Sequence, residues 1–161
     1  MLQSTYYDSP AGLLKISGSE FGITSIQFVS SRLKLSDTIP PVFDHCLEQL
    51  EEYFAKKRTV FNTKISLQGT DFQKQVWTEM LKIPYGKTTS YLAIAQTLGD
   101  RKAVRAVGLA AKLNPIAIIV PCHRVIGLNG DLTGYAGGLD QKRNLLMLEN
   151  PASFGKQQSL F

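Results

Sequence analysis

The chain has 161 residues, 43% of them hydrophobic and 19% charged, with a formal charge of +5; this is ordinary for one or two compact globular units and unlike a disordered chain. Residues 1–67 hold seven basic and seven acidic side chains, residues 68–150 ten and six, so the excess charge lies in the second half and the tail, where an anionic partner is expected. Cys46 and Cys122 are the only cysteines; their spacing is not that of a disulfide scaffold, and no stretch reads as a signal peptide or membrane span, so a cytoplasmic protein with no membrane contact is expected. A four-ligand zinc site would consume both cysteines and both histidines, so no metal is expected.

Three β-prone runs come first, at residues 4–7, 12–17 and 22–29. They are separated by Ser9-Pro10-Ala11-Gly12 and Gly18-Ser19-Glu20-Phe21-Gly22, both turn-forming in composition. Phe43, Cys46, Leu47, Leu50 and Phe54 then repeat at helical spacing, which puts Cys46 on a buried face as a small hydrophobe. Residues 62–69 read as a linker. Thr70 and Gln73 form a capping-box pattern ahead of a helix with Phe72, Val76, Trp77, Met80 and Leu81 on its apolar side. Pro84-Tyr85-Gly86 breaks that helix. A short helix over 91–98 closed by Gly99 and another over about 102–112 follow, joined as in a helix-turn-helix.

The last of these helices, Ala103-Val104-Arg105-Ala106-Val107-Gly108-Leu109-Ala110-Ala111-Lys112, is rich in small residues. Either it packs tightly on its neighbours, or it lets another molecule approach its backbone, with Arg105 projecting into a nucleic-acid groove. Gly108 costs about 1 kcal/mol relative to Ala inside a helix, so it should be offset by packing or by close approach. Beyond an apolar run at residues 116–120 stands Pro121-Cys122-His123-Arg124-Val125. Cys followed by His can be a buried thiol at the end of a core strand, or a nucleophile whose pKa an imidazole lowers. These residues alone leave both readings open.

Taken together, Pro84-Tyr85-Gly86-Lys87, Ser90-Tyr91, Arg105-Ala106-Val107-Gly108, Asn114-Pro115, Pro121-Cys122-His123-Arg124-Val125, Tyr135-Ala136-Gly137-Gly138-Leu139 and Glu149 resemble the 6-O-alkylguanine-DNA alkyltransferases. The match spans nearly all of residues 68–150 in order, whereas the first half resembles the family's small variable domain only in size and layout. The resemblance implies an α+β chain with a small N-terminal antiparallel sheet and helix (1–66), a mainly helical, winged helix-turn-helix-like DNA-binding alkyltransferase domain (68–150) and a flexible tail (151–161).

The resemblance also assigns roles. Cys122 would accept the alkyl group in one in-line displacement, His123 would relay its proton through a water, and Glu149 would orient the imidazole. Tyr91 would donate to the purine ring, and Arg105 would fill the place of the flipped nucleotide. Lys102, Ala106, Gly108, Ala110 and Arg124 would face DNA. Asn114 would be a hinge, and Val125, Tyr135, Ala136, Gly137 and Lys142 would line the guanine pocket, Val125 through its main chain. Ala136 departs from many relatives, which carry Ser there. A monomer that needs no cofactor, acts once and binds duplex DNA containing alkylated guanine is implied. The alternative is a non-enzymatic binder of alkylated DNA, against which Cys122 itself speaks. A Cys-His hydrolase would leave the small-residue helix and Arg105 without a purpose. The ending Gln157-Gln158-Ser159-Leu160-Phe161 is similar to peptides that dock on bacterial sliding clamps.

Overall fold

The computed structural model describes residues 1–33, 38–132, 135 and 138–158, the last four in their backbone only. Two compact units account for it: residues 1–68 with 115–117, and residues 69–114 with 118 onward. Membership of the first unit is therefore not continuous in sequence. The reason is a pair of backbone bonds, Ile26 N–H to the Pro115 carbonyl and Ala117 N–H to the Ile26 carbonyl, each 2.9 Å.

In the first unit, strands β1 (Gln3–Ser9), β2 (Gly12–Ser19) and β3 (Gly22–Phe28) form an antiparallel meander in that order. Two-residue loops set the register, pairing Ser9 with Gly12 and Ser19 with Gly22. Leu14, Ile16, Ile23 and Ile26 turn inward and bury against Phe43, Cys46, Leu50 and Tyr53, the last three on helix α1 (Asp44–Phe54). Single parallel bridges from Ile23 to Ile65 and from Ile26 to Ile116 cover the free edge of β3. Gln49, fully buried, holds the linker: its Oε1 accepts from the backbone amides of Asn62 (3.1 Å) and Thr63 (3.2 Å) and from the Thr63 hydroxyl (2.8 Å).

In the second unit, helix α2 (Asp71–Met80) starts on the capping box, Thr70 Oγ1 accepting from Gln73 N–H and Gln73 Oε1 from Thr70 N–H. Such a cap contributes about 1 kcal/mol. Its buried face is Val76, Trp77 and Met80. A short strand β4 (Thr89–Ser90) leads into α3 (Tyr91–Thr97), capped by the Ser90 hydroxyl. Gly99, at φ 87°, closes α3 with bonds from Gly99 and Asp100 N–H to the Gln96 and Ala95 carbonyls. Asp100 then caps a 3-10 turn into α4 (Val104–Lys112). Trp77 Nε1 donates to the Ala110 carbonyl at 2.8 Å, which locks α4 onto α2. The run 116–120, whose first two residues belong to the first unit, is buried but is no strand; Ile118 sits at φ 74°. Strand β5 (Val125–Ile126) pairs in parallel with β4, and α5 (Leu139–Glu149) follows.

The expected flexible tail begins instead with a helix, α6 (Pro151–Gln158). Pro151 suits a first helical position, Asn150 Oδ1 accepts from Ser153 N–H at 3.2 Å, and Phe154 is buried as its anchor. Among the described residues, no helix is long and apolar enough to cross a membrane.

Candidate active site

Three consecutive buried residues, Cys122, His123 and Arg124, form a 3-10 turn between Pro121 and β5. The turn is held by Cys122 N–H to the Val120 carbonyl (2.8 Å) and Arg124 N–H to the Pro121 carbonyl (2.9 Å). Asn114, just past α4, donates its amide to the Val120 carbonyl (2.8 Å) and to Cys122 Sγ (3.1 Å). One short side chain thus ties the end of the small-residue helix to the thiol.

His123 and Glu149 meet across 2.6 Å, Nε2 to Oε2, with both side chains essentially out of solvent. Burial lowers the imidazole pKa, and the Arg124 and Lys142 charges add to that, while Glu149 opposes it. The resting imidazole is therefore neutral, with the proton on Nε2 facing the carboxylate and the lone pair on Nδ1. Among the described residues Nδ1 has no hydrogen-bond partner. Burial alone would raise the Glu149 carboxyl, but the hydrogen bond from His123 and the Arg124 guanidinium hold it well below the usual carboxylate range.

Burial pushes Cys122 up to about 11, against the opposing pull of the Asn114 hydrogen bond, the Lys142 charge and two backbone N–H donors. Desolvation of the anion outweighs these neighbours in setting that direction.

Lys142, on α5, is completely buried, with Nζ donating to the Val125 carbonyl at 2.6 Å and to the Tyr91 hydroxyl at 3.3 Å. Its ammonium lies 5.7 Å from the Tyr91 ring centroid. Burial lowers it to about 8, which the Cys122 charge partly counters. Tyr91, the first residue of α3, thereby reaches the Cys122 turn through one lysine. The main chain of Val125 is already engaged: its N–H bonds the Cys122 carbonyl and its own carbonyl takes Lys142. Tyr135 is buried, and burial raises its hydroxyl well above the ordinary value. Ala136 and Gly137 lie outside the described residues, as do Ser159, Leu160 and Phe161 and the side chains of Gln157 and Gln158.

On α4 the inner face is Val107, Ala110 and Ala111, while Arg105 and Ala106 are exposed and Gly108 partly so; Lys102, on the 3-10 turn before the helix, is also exposed. A methyl group at Gly108 would meet nothing within 4 Å. Among the described residues, its smallness therefore serves no packing.

Two expected DNA contacts need correction. Ala110 is 3% exposed and packs inward. Arg124 is 6% exposed and spent inside the protein: Nε donates to Glu149 Oε1 (2.8 Å), Nη2 to Oε2 (3.0 Å) and Nη1 to the Ile83 carbonyl (2.7 Å). A guanidinium so engaged has no reach to a phosphate. The backbone of residues 83–86 belongs to the same array, since Gly86 N–H donates to Glu149 Oε1 (3.3 Å) and the Gly86 carbonyl accepts from Asn150 Nδ2 (3.0 Å). Sequence reasoning misses this backbone; its one signal is Gly86, at φ 76° and with the Glu149 carbonyl 3.3 Å from where a Cβ would sit.

Comparison with known proteins assigns the family. A family model described as the 6-O-methylguanine DNA methyltransferase DNA-binding domain matches residues 71–151, and its companion ribonuclease-like domain matches residues 2–67. A methylated-DNA–protein-cysteine methyltransferase of Mycolicibacterium paratuberculosis is 47% identical over 95% of this chain and 97% of its own length. The chain belongs to the methylated-DNA–protein-cysteine methyltransferase family. Its activity is DNA repair by alkyl transfer to a cysteine of the protein. Another relative, from Methanosarcina acetivorans, is 47% identical over 89% of this chain and 95% of its own. Among solved structures, Mycobacterium tuberculosis O6-methylguanine methyltransferase matches with TM-score 0.82 at 42% identity, covering 100% of both chains. The M. tuberculosis OGT in complex with DNA matches with TM-score 0.82 at 48% identity over 91% of each chain.

Proposed function

We propose that Cys122 is the acceptor and that it takes the alkyl group from the exocyclic oxygen of a guanine turned out of duplex DNA. The observation that carries this reading is the buried array Asn114–Cys122–His123–Glu149, with the one imidazole lone pair left for a proton. His123 Nδ1 withdraws the thiol proton through a water as Sγ attacks the alkyl carbon. The S–C bond forms, the C–O bond breaks, and the electron pair leaves on guanine. Tyr91, supported by the Lys142 ammonium, donates to the purine as negative charge develops there. The thiol proton ends on the released guanine, so thiol and alkyl ether become thioether and guanine. The thioether is not reversed by ordinary reductants, so each molecule acts once.

Extruding the base costs a few kcal/mol, which the inserted Arg105 offsets in part. The exposed side of α4, with Lys102, Ala106 and open Gly108, suits the narrow minor groove; Arg124 and Ala110 are no part of that surface. Tyr135, with Ala136 and Gly137, is assigned to the guanine pocket. The relative crystallised with DNA supports DNA as the partner, read here as duplex, and the two free cysteines suit a reducing cytoplasm, with the protein acting as a monomer. The closing Gln157-Gln158-Ser159-Leu160-Phe161 is retained as a docking peptide for a sliding clamp on sequence alone; its deletion should abolish clamp pull-down, and undiminished capture would dismiss it.

Incubation with a duplex carrying one 6-O-methylguanine, followed by peptide mass analysis, tests the main reading. One methyl on the Cys122 peptide supports it. Tight binding with an unmodified thiol favours the non-enzymatic binder.

A further inference from the structure

The outer face of α4 carries more than charge. Arg105 and Leu109 within the helix and Leu113 at its C-cap follow one another at four-residue spacing, and so form one ridge along its surface. Leu109 is 58% and Leu113 52% exposed, on a helix whose opposite face supplies Val107, Ala110 and Ala111 to the core. Two large apolar side chains left side by side in water, one turn apart, mark a surface that another molecule covers. Cations bracket this pair. Arg101 and Lys102 precede it, Arg105 stands at its head and Lys112 near its end, all exposed, with no acidic residue between Asp100 and Asp131. Such a charge pattern selects a polyanion as the covering molecule. The apolar pair also runs on directly from Arg105, the side chain assigned to the place of the extruded nucleotide.

We infer that Leu109 is a specificity-determining residue: it lies against the floor of the minor groove beside the lesion and disfavours a G·C pair there. The inference rests on the reading of α4 as the helix that enters that groove. An A·T pair shows the minor groove only acceptors, in either orientation, whereas a G·C pair adds the 2-amino group of guanine, a donor that stands out from the floor. Leucine presents an aliphatic surface and no acceptor. Seated on either pair it strips water from the acceptors; on G·C alone it also strips a protruding donor and leaves it unpaired, the costly side of the hydrogen-bond balance. The place of the effect follows from helix geometry. Four residues at about 1.5 Å each put Leu109 about 6 Å beyond Arg105, which at about 3.4 Å per base step is about two pairs from the extruded guanine.

The test uses the full chain and duplexes bearing one 6-O-methylguanine, in which each of the three pairs on either side is in turn A·T, G·C or inosine·C. Inosine differs from guanine only in lacking the 2-amino group. Methyl transfer to Cys122 is timed at limiting duplex. At one position, the wild type should react about tenfold more slowly with G·C than with A·T, and inosine·C should behave as A·T. Leu109→Ala, at an exposed site, should bring the three to within about twofold of one another. Leu109→Asn supplies an acceptor for the guanine amino group and should likewise remove the penalty. Leu113→Ala should keep it. The amino group also strengthens the duplex, so the deciding quantity is the ratio of wild-type to Leu109→Ala rate on each duplex, in which duplex stability cancels. A ratio equal on all duplexes, even with slower transfer throughout, makes Leu109 a general contact and overturns the inference. Discrimination lost in Leu113→Ala and kept in Leu109→Ala also overturns it. Netropsin, a minor-groove ligand, should block transfer from an A·T-flanked duplex. Transfer that netropsin leaves undiminished, or a wild type that leaves Cys122 unmethylated, overturns the underlying reading, whereas blocked transfer with equal ratios overturns only this inference.

Discussion

Two cysteines, one in each unit, differ little in exposure and much in company. Cys46 is 1% exposed and Cys122 6%. Burial pushes the first up to about 12 and the second up to about 11. By accessibility or resting acidity neither stands out as a nucleophile. Burial is the sole cause of the Cys46 shift, whereas Cys122 has the Asn114 amide at 3.1 Å, the Lys142 charge and the N–H donors of its own turn. Reactivity here lies in what is arranged to accept the proton and to receive the charge.

The largest effect that could break this contrast comes from exchanging the sulfurs. Cys122→Ser should abolish methyl transfer from a modified duplex. Cys46→Ala should leave the transfer rate unchanged while lowering thermal stability by about 1 kcal/mol through lost burial. Transfer that survives Cys122→Ser would erase the distinction.

Next in size is Glu149. Glu149→Gln should slow transfer by about a hundredfold and destabilise the fold by a few kcal/mol, because Arg124 is left buried without its counter-charge. The sign of the pH effect follows from the lowered carboxyl. Its stabilisation is fully present above the unfolded value of about 4.3 and is lost as pH falls below it. Thermal melts of the wild type should fall through that acid range, and those of Glu149→Gln should fall less.

Asn114 sharpens the comparison on the thiol alone. Asn114→Ala removes a hydrogen bond that lowers the Cys122 pKa, so the iodoacetamide profile of the Cys122 peptide should move to higher pH by up to about one unit, with that of Cys46 unmoved. Arg105→Ala should separate chemistry from delivery, cutting transfer from duplex DNA by about tenfold with iodoacetamide reactivity intact. The smallest effect belongs to Gly108→Ala. The fold should gain about 1 kcal/mol, since a methyl there meets open space, while affinity for duplex DNA falls. Unchanged affinity would remove the groove from the account.

Local features of the fold were legible in the sequence because local chemistry produces them. The hairpin loops after Ser9 and Ser19, the Thr70/Gln73 capping box and the Gly99 stop each depend on residues within a few positions. The bridge from Ile26 to Ile116 spans the chain and has no local signature. Helix α6 was missed because Phe154 is the only large apolar side chain within it, too little for a periodic pattern. Within the candidate site, the Cys-His-Arg run could be read and Glu149 followed from the family resemblance, but the role of Arg124 could not. A basic residue beside a reactive pair in a basic domain reads as a DNA contact until its carboxylate partner, 25 residues on, closes over it. The burial of the thiol was equally hidden, since no motif encodes it.

The most direct test of the central claim is peptide mass analysis after one equivalent of duplex bearing a single 6-O-methylguanine. The account predicts one methyl on the Cys122 peptide, none on the Cys46 peptide, and no further reaction with a second equivalent. A methyl on Cys46, repeated turnover, or a bound duplex beside an unmodified Cys122 would contradict it.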